Sequence, residues 1–389
     1  PGIEDFQGRS FHTSRWDYGY TGGDMRGELK KLQDKRVGII GTGATAVQIV
    51  PHLAKACKEL FVFQRTPSTI DVRNNQTTDA EWVASLEPGW QARRIQNFTA
   101  VSHGAPVTED LVNDAWTDLI GRIMEHTQAR DELSPEEFGV LMERMNVVKM
   151  NELRVRIDEH VEDADTAAAL KPWYALFCKR PCFHDDYLKA FNEPAVQLVD
   201  TDGRGVERIT ANSIIVADAG YEVDCLIYAT GFEVGTAFTQ RIGYDLIGRD
   251  GRKLSEYWSD SMISLHGMHV HGFPNAFIVG ARQGTVTANF THLIEECANQ
   301  LQYIISGALK EGVREIEVTE KAATDWTAMI ENSAVPAAVG QGECTPGYFN
   351  AEGQGSGALS VYLQGPVSFF KLLEDWRNEG MHEGLEFYK

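Results

Sequence analysis

Gly41, Gly43 and Ala46 are spaced as G-x-G-x-x-A, an arrangement that brings backbone N–H groups against a pyrophosphate. The first glycine permits a tight turn, the second lets the phosphates approach, and Ala46 allows a helix to pack closely on its strand. Thr42, Ala44 and Thr45 complete the motif and Gln48 follows it, so these seven residues form the candidate dinucleotide site. About twenty residues further on, an NAD site carries Asp or Glu for the ribose hydroxyl. Here the chain reads Gln64-Arg65-Thr66. A cation and a hydroxyl there suit a 2′-phosphate, which predicts NADP(H); a solvated strand end is the other reading of Arg65.

Other chemistry-bearing groups are less telling by themselves. Lys179 and Arg180, in CKRPC, read in isolation as a solvated loop, and the flanking Cys178 and Cys182 as apolar packing. His266, His269 and His271 have no Cys or acidic partner at useful spacing, so no metal is expected. Asp224, Thr230 and Gly231 lie in DCLIYATGF, a strand followed by a turn.

The elements that must position these groups follow from periodicity. KRVGIIGTGATAVQIVPHLAKACKELFVFQRTP, from Lys35, reads as strand, glycine turn, helix and strand. From about Asp79 to Leu170 apolar residues recur at i, i+3 and i+4, predicting a helical insertion, and SPEE at Ser134 is a helix start. Strand signals resume at AVQLVD, VERIT, NSIIVADAGYEV and CLIYATGF, where Asp218-Ala219-Gly220 suggests a hairpin turn. NAFIVG reads as a further strand, Asn289 to Ile305 as a helix, PGYFNAEGQGSG as a loop, and VSFFKLLEDWRNEG as a last helix stopped by Gly380.

Bulk properties narrow the classes. At 389 residues the chain predicts two domains, or one with a large insertion. A formal charge of −20, from 56 acidic and 36 basic residues, argues against a nucleic-acid or anionic-membrane partner. No apolar run approaches a membrane span. Six dispersed cysteines without a C-x-x-C pair predict no disulfide framework or zinc ribbon, which fits a reducing cytoplasm. Oligomeric state is not legible.

One run stands just ahead of the glycine turn: F-x-G-x-x-x-H-x-x-x-W-D, with Phe6, Gly8, His12, Trp16 and Asp17. It resembles the fingerprint of the Baeyer–Villiger monooxygenases, flavoenzymes that insert an oxygen atom from O2 beside a ketone carbonyl. FVFQRTP, KRPCFHDDY, IYATGF and FPNAFIVG resemble that family's later landmarks, in its order, so the likeness covers nearly the whole chain.

The resemblance implies an α/β fold of two Rossmann-like dinucleotide-binding domains, one for NADP with a helical insertion and one for FAD. The family's FAD-binding G-x-G-x-x-G unit is expected ahead of the fingerprint, so the FAD domain here is expected to be incomplete. The implied parts are 1–29 (linker and FAD remnant), 30–78 and 171–228 (NADP domain), 79–170 (insertion) and 229–389 (FAD domain, C-terminal part). NADPH would reduce FAD, and a flavin C4a-peroxide would convert a ketone to an ester or lactone.

By the same resemblance Arg180 is the permanent cation beside that peroxide, and Lys179 joins Arg65 and Thr66 on the 2′-phosphate. Thr230 and Gly231 pass close to cofactor, Asn289 and Phe290 approach the flavin ring, and His12 has a hinge-like role rather than proton transfer. Tyr348 or Phe349 stands where some members carry a contact Trp, and CTPGYFNAEG resembles members handling bulky or polycyclic ketones. A flavin N- or S-oxygenating enzyme and an inactive NADP-binding fragment are the alternatives. If these 389 residues are the whole product, weak NADPH binding without flavin absorbance is expected.

Overall fold

Alternation along three central strands sorts their side chains between two cores. Val37 and Ile39, Leu60 and Val62, and Cys225 and Ile227 enter one; Ile40, Phe61 and Phe63, and Leu226 and Tyr228 face the other. A strand covered on both faces reads as a near-continuous apolar run, as RVGII and ELFVF do. In the computed structural model, which describes residues 1–128, 134–232, 238–333, 344–347, 361–380 and 383–389, these strands form a five-stranded parallel sheet. Its order is Arg9–His12, Cys225–Tyr228, Arg36–Ile40, Glu59–Gln64, Val196–Asp200, with Ile39 opposite both Ile227 and Val62.

Helix Ala44–Ala54 covers the first face through Val47, Val50 and Leu53. A three-stranded antiparallel sheet, Arg208–Ile209, Ser213–Val216 and Ala219–Glu222, covers the second through Ile209, Ile214 and Val216. Its hairpin turn is Ala217-Asp218, both with positive φ, one residue earlier than expected, because Gly220 is drawn into the ladder opposite Ile215.

The chain divides into two compact units. The first is Pro1–Thr77, Glu136–Val234 and Glu343–Gly353; the second is Thr78–Pro135, Gly235–Gly342 and Gln354–Lys389. The described residues of 79–170 are mostly helical, and they divide between the two units. Ile157, Val161, Ala167 and Leu170 are buried in the first unit's core, and buried Lys149 reaches Asp71 at 2.6 Å. Helices Ala80–Ser85, Trp90–Val101 and Ala115–Gln128 go with the second unit, where the Thr99 hydroxyl meets His292 Nδ1 at 2.8 Å.

In the second unit, helices Phe290–Lys310, Glu320–Ser333 and Gly365–Asn378 enclose Leu293, Cys297, Ile304, Trp326, Phe369 and Leu373. Its ladder is the antiparallel pair Glu315–Val318 and Leu385–Tyr388. The expected strand at NAFIVG is not one: a single bridge joins Phe277 to His269. A strand needs a continuous partner backbone, and residues 265–269 offer only a tight turn.

A fork of charge fixes the sheet's N-terminal edge. Arg36 donates to Asp224 from Nη2 at 2.9 Å, from Nε at 3.2 Å and from its backbone N–H at 2.8 Å. These bonds hold the Asp224 carboxyl below its ordinary range. Asp224→Asn is expected to cost about 1–2 kcal/mol at neutral pH, discounted for partial exposure. A depressed carboxylate stabilises fully above its unfolded pKa of about 4 and loses that stabilisation as pH falls through the folded value. Thermal unfolding of both proteins should therefore converge below about pH 4; a gap of constant size down to pH 3 would contradict this account.

Candidate functional site

Strand Arg36–Ile40 ends in Gly41 with φ 108°, and the Gly41 N–H donates to the Phe63 carbonyl at 3.0 Å. A Cβ there would lie 2.5 Å from the Ala229 carbonyl oxygen, so both conformation and crowding demand glycine. Gly43 differs: a Cβ would meet nothing within 4 Å, so its glycine leaves open space at the N-terminus of helix Ala44–Ala54. Ala46 is wholly buried against the sheet. First-turn N–H groups and the positive helix end suit an anion in that space, so the turn fits a dinucleotide pyrophosphate.

Two reciprocal bonds tie this turn to the next strand end. The Thr42 hydroxyl donates to the Thr66 carbonyl at 2.8 Å, and the Ser68 hydroxyl to the Thr42 carbonyl at 2.6 Å. Arg65, just past strand Glu59–Gln64, is thus held on the same rim as Gly43. Lys179 joins it from far along the chain. Lys179 Nζ donates to the Pro346 carbonyl at 2.8 Å and Arg65 Nη2 to the same oxygen at 3.4 Å. Tyr174 lies under the ammonium at 5.6 Å. Two cations that converge on one oxygen, beside a glycine turn at the C-terminal ends of parallel strands, are suited to a nucleotide phosphate.

Arg180 is exposed, in a loop fastened at both ends. Cys182–Phe183 pairs in parallel with Ile70–Asp71, and Cys178 is disulfide-bonded to Cys344, with Cα atoms 5.3 Å apart. The bridge corrects the expectation of simple packing at Cys178. Cys182 is packed as expected, its thiol pushed up to about 11 by burial. Thr230 and Gly231 follow strand Cys225–Tyr228, next to Ala229, whose carbonyl crowds Gly41. Tyr348 and Phe349 lie outside the described residues.

The Pentalenolactone D synthase of Streptomyces exfoliatus is 46% identical over 393 residues, covering 99% of this chain and 67% of that one. Baeyer-Villiger monooxygenase 4 of Dietzia sp. is 44% identical over 393 residues, 100% of this chain and 64% of that one. The chain belongs to the Baeyer–Villiger monooxygenase family. Among solved structures, the polycyclic ketone monooxygenase of the thermophilic fungus Thermothelomyces thermophila matches with TM-score 0.88 at 36% identity, over 100% of this chain and 65% of that one. The chain thus spans about two thirds of the length of these relatives. No family model matches it.

The stretch Phe6–Asp17, which resembles the family's fingerprint, runs along the edge of the parallel sheet. Phe6 packs on the second core, and Gly8 lies against the Asp224 carbonyl. Trp16 donates from Nε1 to the Thr21 hydroxyl at 3.1 Å and meets Phe11 edge-on. Asp17 accepts from the Tyr20 N–H at 3.0 Å, capping a turn, and pairs with Arg9. The Tyr20 bond leads in lowering its pKa. His12 Nδ1 accepts from the Ser14 N–H at 3.2 Å, and its ring meets Phe232 edge-on.

Asn289 and Phe290 lie in the second unit. Asn289 Oδ1 accepts from the Thr291 hydroxyl at 2.6 Å and the His292 N–H at 3.3 Å, capping helix Phe290–Lys310, and Phe290 is exposed. Burial holds His266 and His269 neutral, with pKa values pushed down to about 3 and about 4, while His271 Nδ1 lies 2.9 Å from the Val318 carbonyl. Among the described residues no three His, Cys, Asp or Glu side chains could hold a metal, and no helix is long and apolar enough to cross a membrane. Sequence reasoning missed Ser68, Pro346 and Cys344 as parts of the site. Nothing local marks them, for each acts through residues 26 to 281 positions away.

Proposed function

We propose that this chain is the NADPH-binding part, with some of the FAD domain, of a Baeyer–Villiger monooxygenase that converts bulky or cyclic ketones to esters or lactones with O2. The observation that carries the reading is the convergence of Arg65 and Lys179 on one oxygen beside the Gly41–Ala46 turn. Family membership supplies the reaction class, and relatives named for pentalenolactone D and polycyclic ketones support a bulky substrate.

When bound, FAD supplies hydride acceptance from NADPH and activation of O2. The work of this chain's own residues is positional and electrostatic. The Gly43 space and the helix N-terminus take the pyrophosphate, and Arg65, Thr66 and Lys179 take the 2′-phosphate, selecting NADPH over NADH. Thr230 and Gly231 border the same rim. Arg180 provides a cation that stays charged in any environment, as negative charge on a reacting oxygen requires.

The test uses the complete protein with FAD and NADPH against a panel of monocyclic and polycyclic ketones, amines and sulfides. Ester or lactone formation, fastest with the bulkier ketones, is expected. NADPH consumption with no ester from any ketone would overturn the reading, and strong preference for amines or sulfides would move it to N- or S-oxygenation.

A further inference from the structure

We propose that the Cys178–Cys344 disulfide is a redox latch that holds the Pro346 carbonyl on the Arg65 and Lys179 cations and so weakens binding of a 2′-phosphate until the bridge is reduced. The proposal rests on the nucleotide reading above. Cys178 directly precedes Lys179, and Cys344 is two residues before Pro346. Two residues span at most about 7 Å, so while the bridge stands the carbonyl cannot leave the neighbourhood of the cations. The bridge spans 166 residues, so it confines a distant stretch of chain to this rim at high effective concentration.

The carbonyl takes the donors that a phosphate needs, Lys179 Nζ at 2.8 Å and Arg65 Nη2 at 3.4 Å. It is a neutral acceptor and the phosphate an anionic one, so the two compete and the phosphate wins less than its full affinity. With the bridge open, the competitor is no longer tethered.

The chemistry balances with a dithiol as reductant. Cys178 is buried and Cys344 half-buried, so a thiolate of the dithiol attacks the Cys344 sulfur and Cys178 leaves as thiolate. The second thiol of the reductant then displaces Cys344. Two electrons and two protons pass to the protein, giving two cysteine thiols, and the dithiol becomes a cyclic disulfide. In a reducing compartment, disulfides are usually transient and catalytic or redox-sensing rather than structural.

The experiment titrates the full chain by calorimetry with adenosine 2′,5′-bisphosphate and with AMP, before and after dithiothreitol. The unreduced chain should yield four thiols of its six cysteines on denaturation. Reduction should tighten bisphosphate binding about tenfold, the value of one charge-assisted bond, and leave AMP unchanged. Cys344→Ser and Cys178→Ser should each bind like the reduced chain whether or not dithiothreitol is present. Equal bisphosphate affinity in both redox states, with bisphosphate still preferred over AMP, overturns the latch and leaves the nucleotide reading standing. Bisphosphate no tighter than AMP in the reduced chain overturns both. Six titratable thiols after air oxidation overturn the latch directly.

Discussion

Replacing Arg65 and Lys179 together by alanine is expected to weaken NADPH binding by roughly two to four orders of magnitude, since each charged hydrogen bond to a phosphate contributes about 1.5–3 kcal/mol. NADH, which lacks the 2′-phosphate, should change less than about threefold. The two side chains reach one carbonyl oxygen today, Lys179 at 2.8 Å and Arg65 at 3.4 Å, so they are placed to share one phosphate. Groups that share a partner couple, and the double variant should lose less than the sum of the singles. Direct titration of both nucleotides under reducing conditions reads this. Equal losses for NADPH and NADH would mean that the pair acts on the fold or the pyrophosphate and not on the 2′-phosphate.

Arg180→Ala, in the complete FAD-loaded protein, is expected to lower ester or lactone formation by roughly a hundred- to a thousandfold, the scale for losing one group aimed at developing oxyanion charge. NADPH affinity should stay within about threefold, because Lys179 and Arg65 are untouched. NADPH oxidation should continue, with its electrons appearing as hydrogen peroxide. The loop is suited to the role: the ladder at Cys182 fastens the backbone two residues on, while Arg180 itself is exposed. Arg180→Lys should recover only part of the rate, since a point charge lacks the planar fork. Ester formation kept within a few-fold of wild type would remove Arg180 from the chemistry.

Much of the first unit is legible in the sequence. The turn at Gly41 and Gly43 is written in adjacent residues, and strand Glu59–Gln64 and helix Ala44–Ala54 declare themselves by alternation and by 3.6-residue spacing. Arg65 could be read as a phosphate ligand because its distance from Gly41 is set by the short strand-helix-strand unit. NAFIVG misled for the opposite reason. Its composition is that of a strand, but strand formation depends on a partner backbone that only the fold supplies. Helical periodicity within 79–170 marks local structure and is silent on partners, so the division of the described helices between two units was not visible in it.

What the sequence by itself determined is everything that short-range spacing encodes: the glycine turn, the paired strands around it, the caps, and the ordered landmarks of the family. The tertiary structure alone decided which distant residues meet. It brought Lys179 to Arg65 across 114 positions, Cys344 to Cys178 across 166, Asp224 to Arg36 across 188, and the Pro346 carbonyl onto both cations. A hydrogen bond or disulfide between residues far apart leaves no periodicity in the chain, because its geometry is fixed by how the intervening elements pack and not by the residues between.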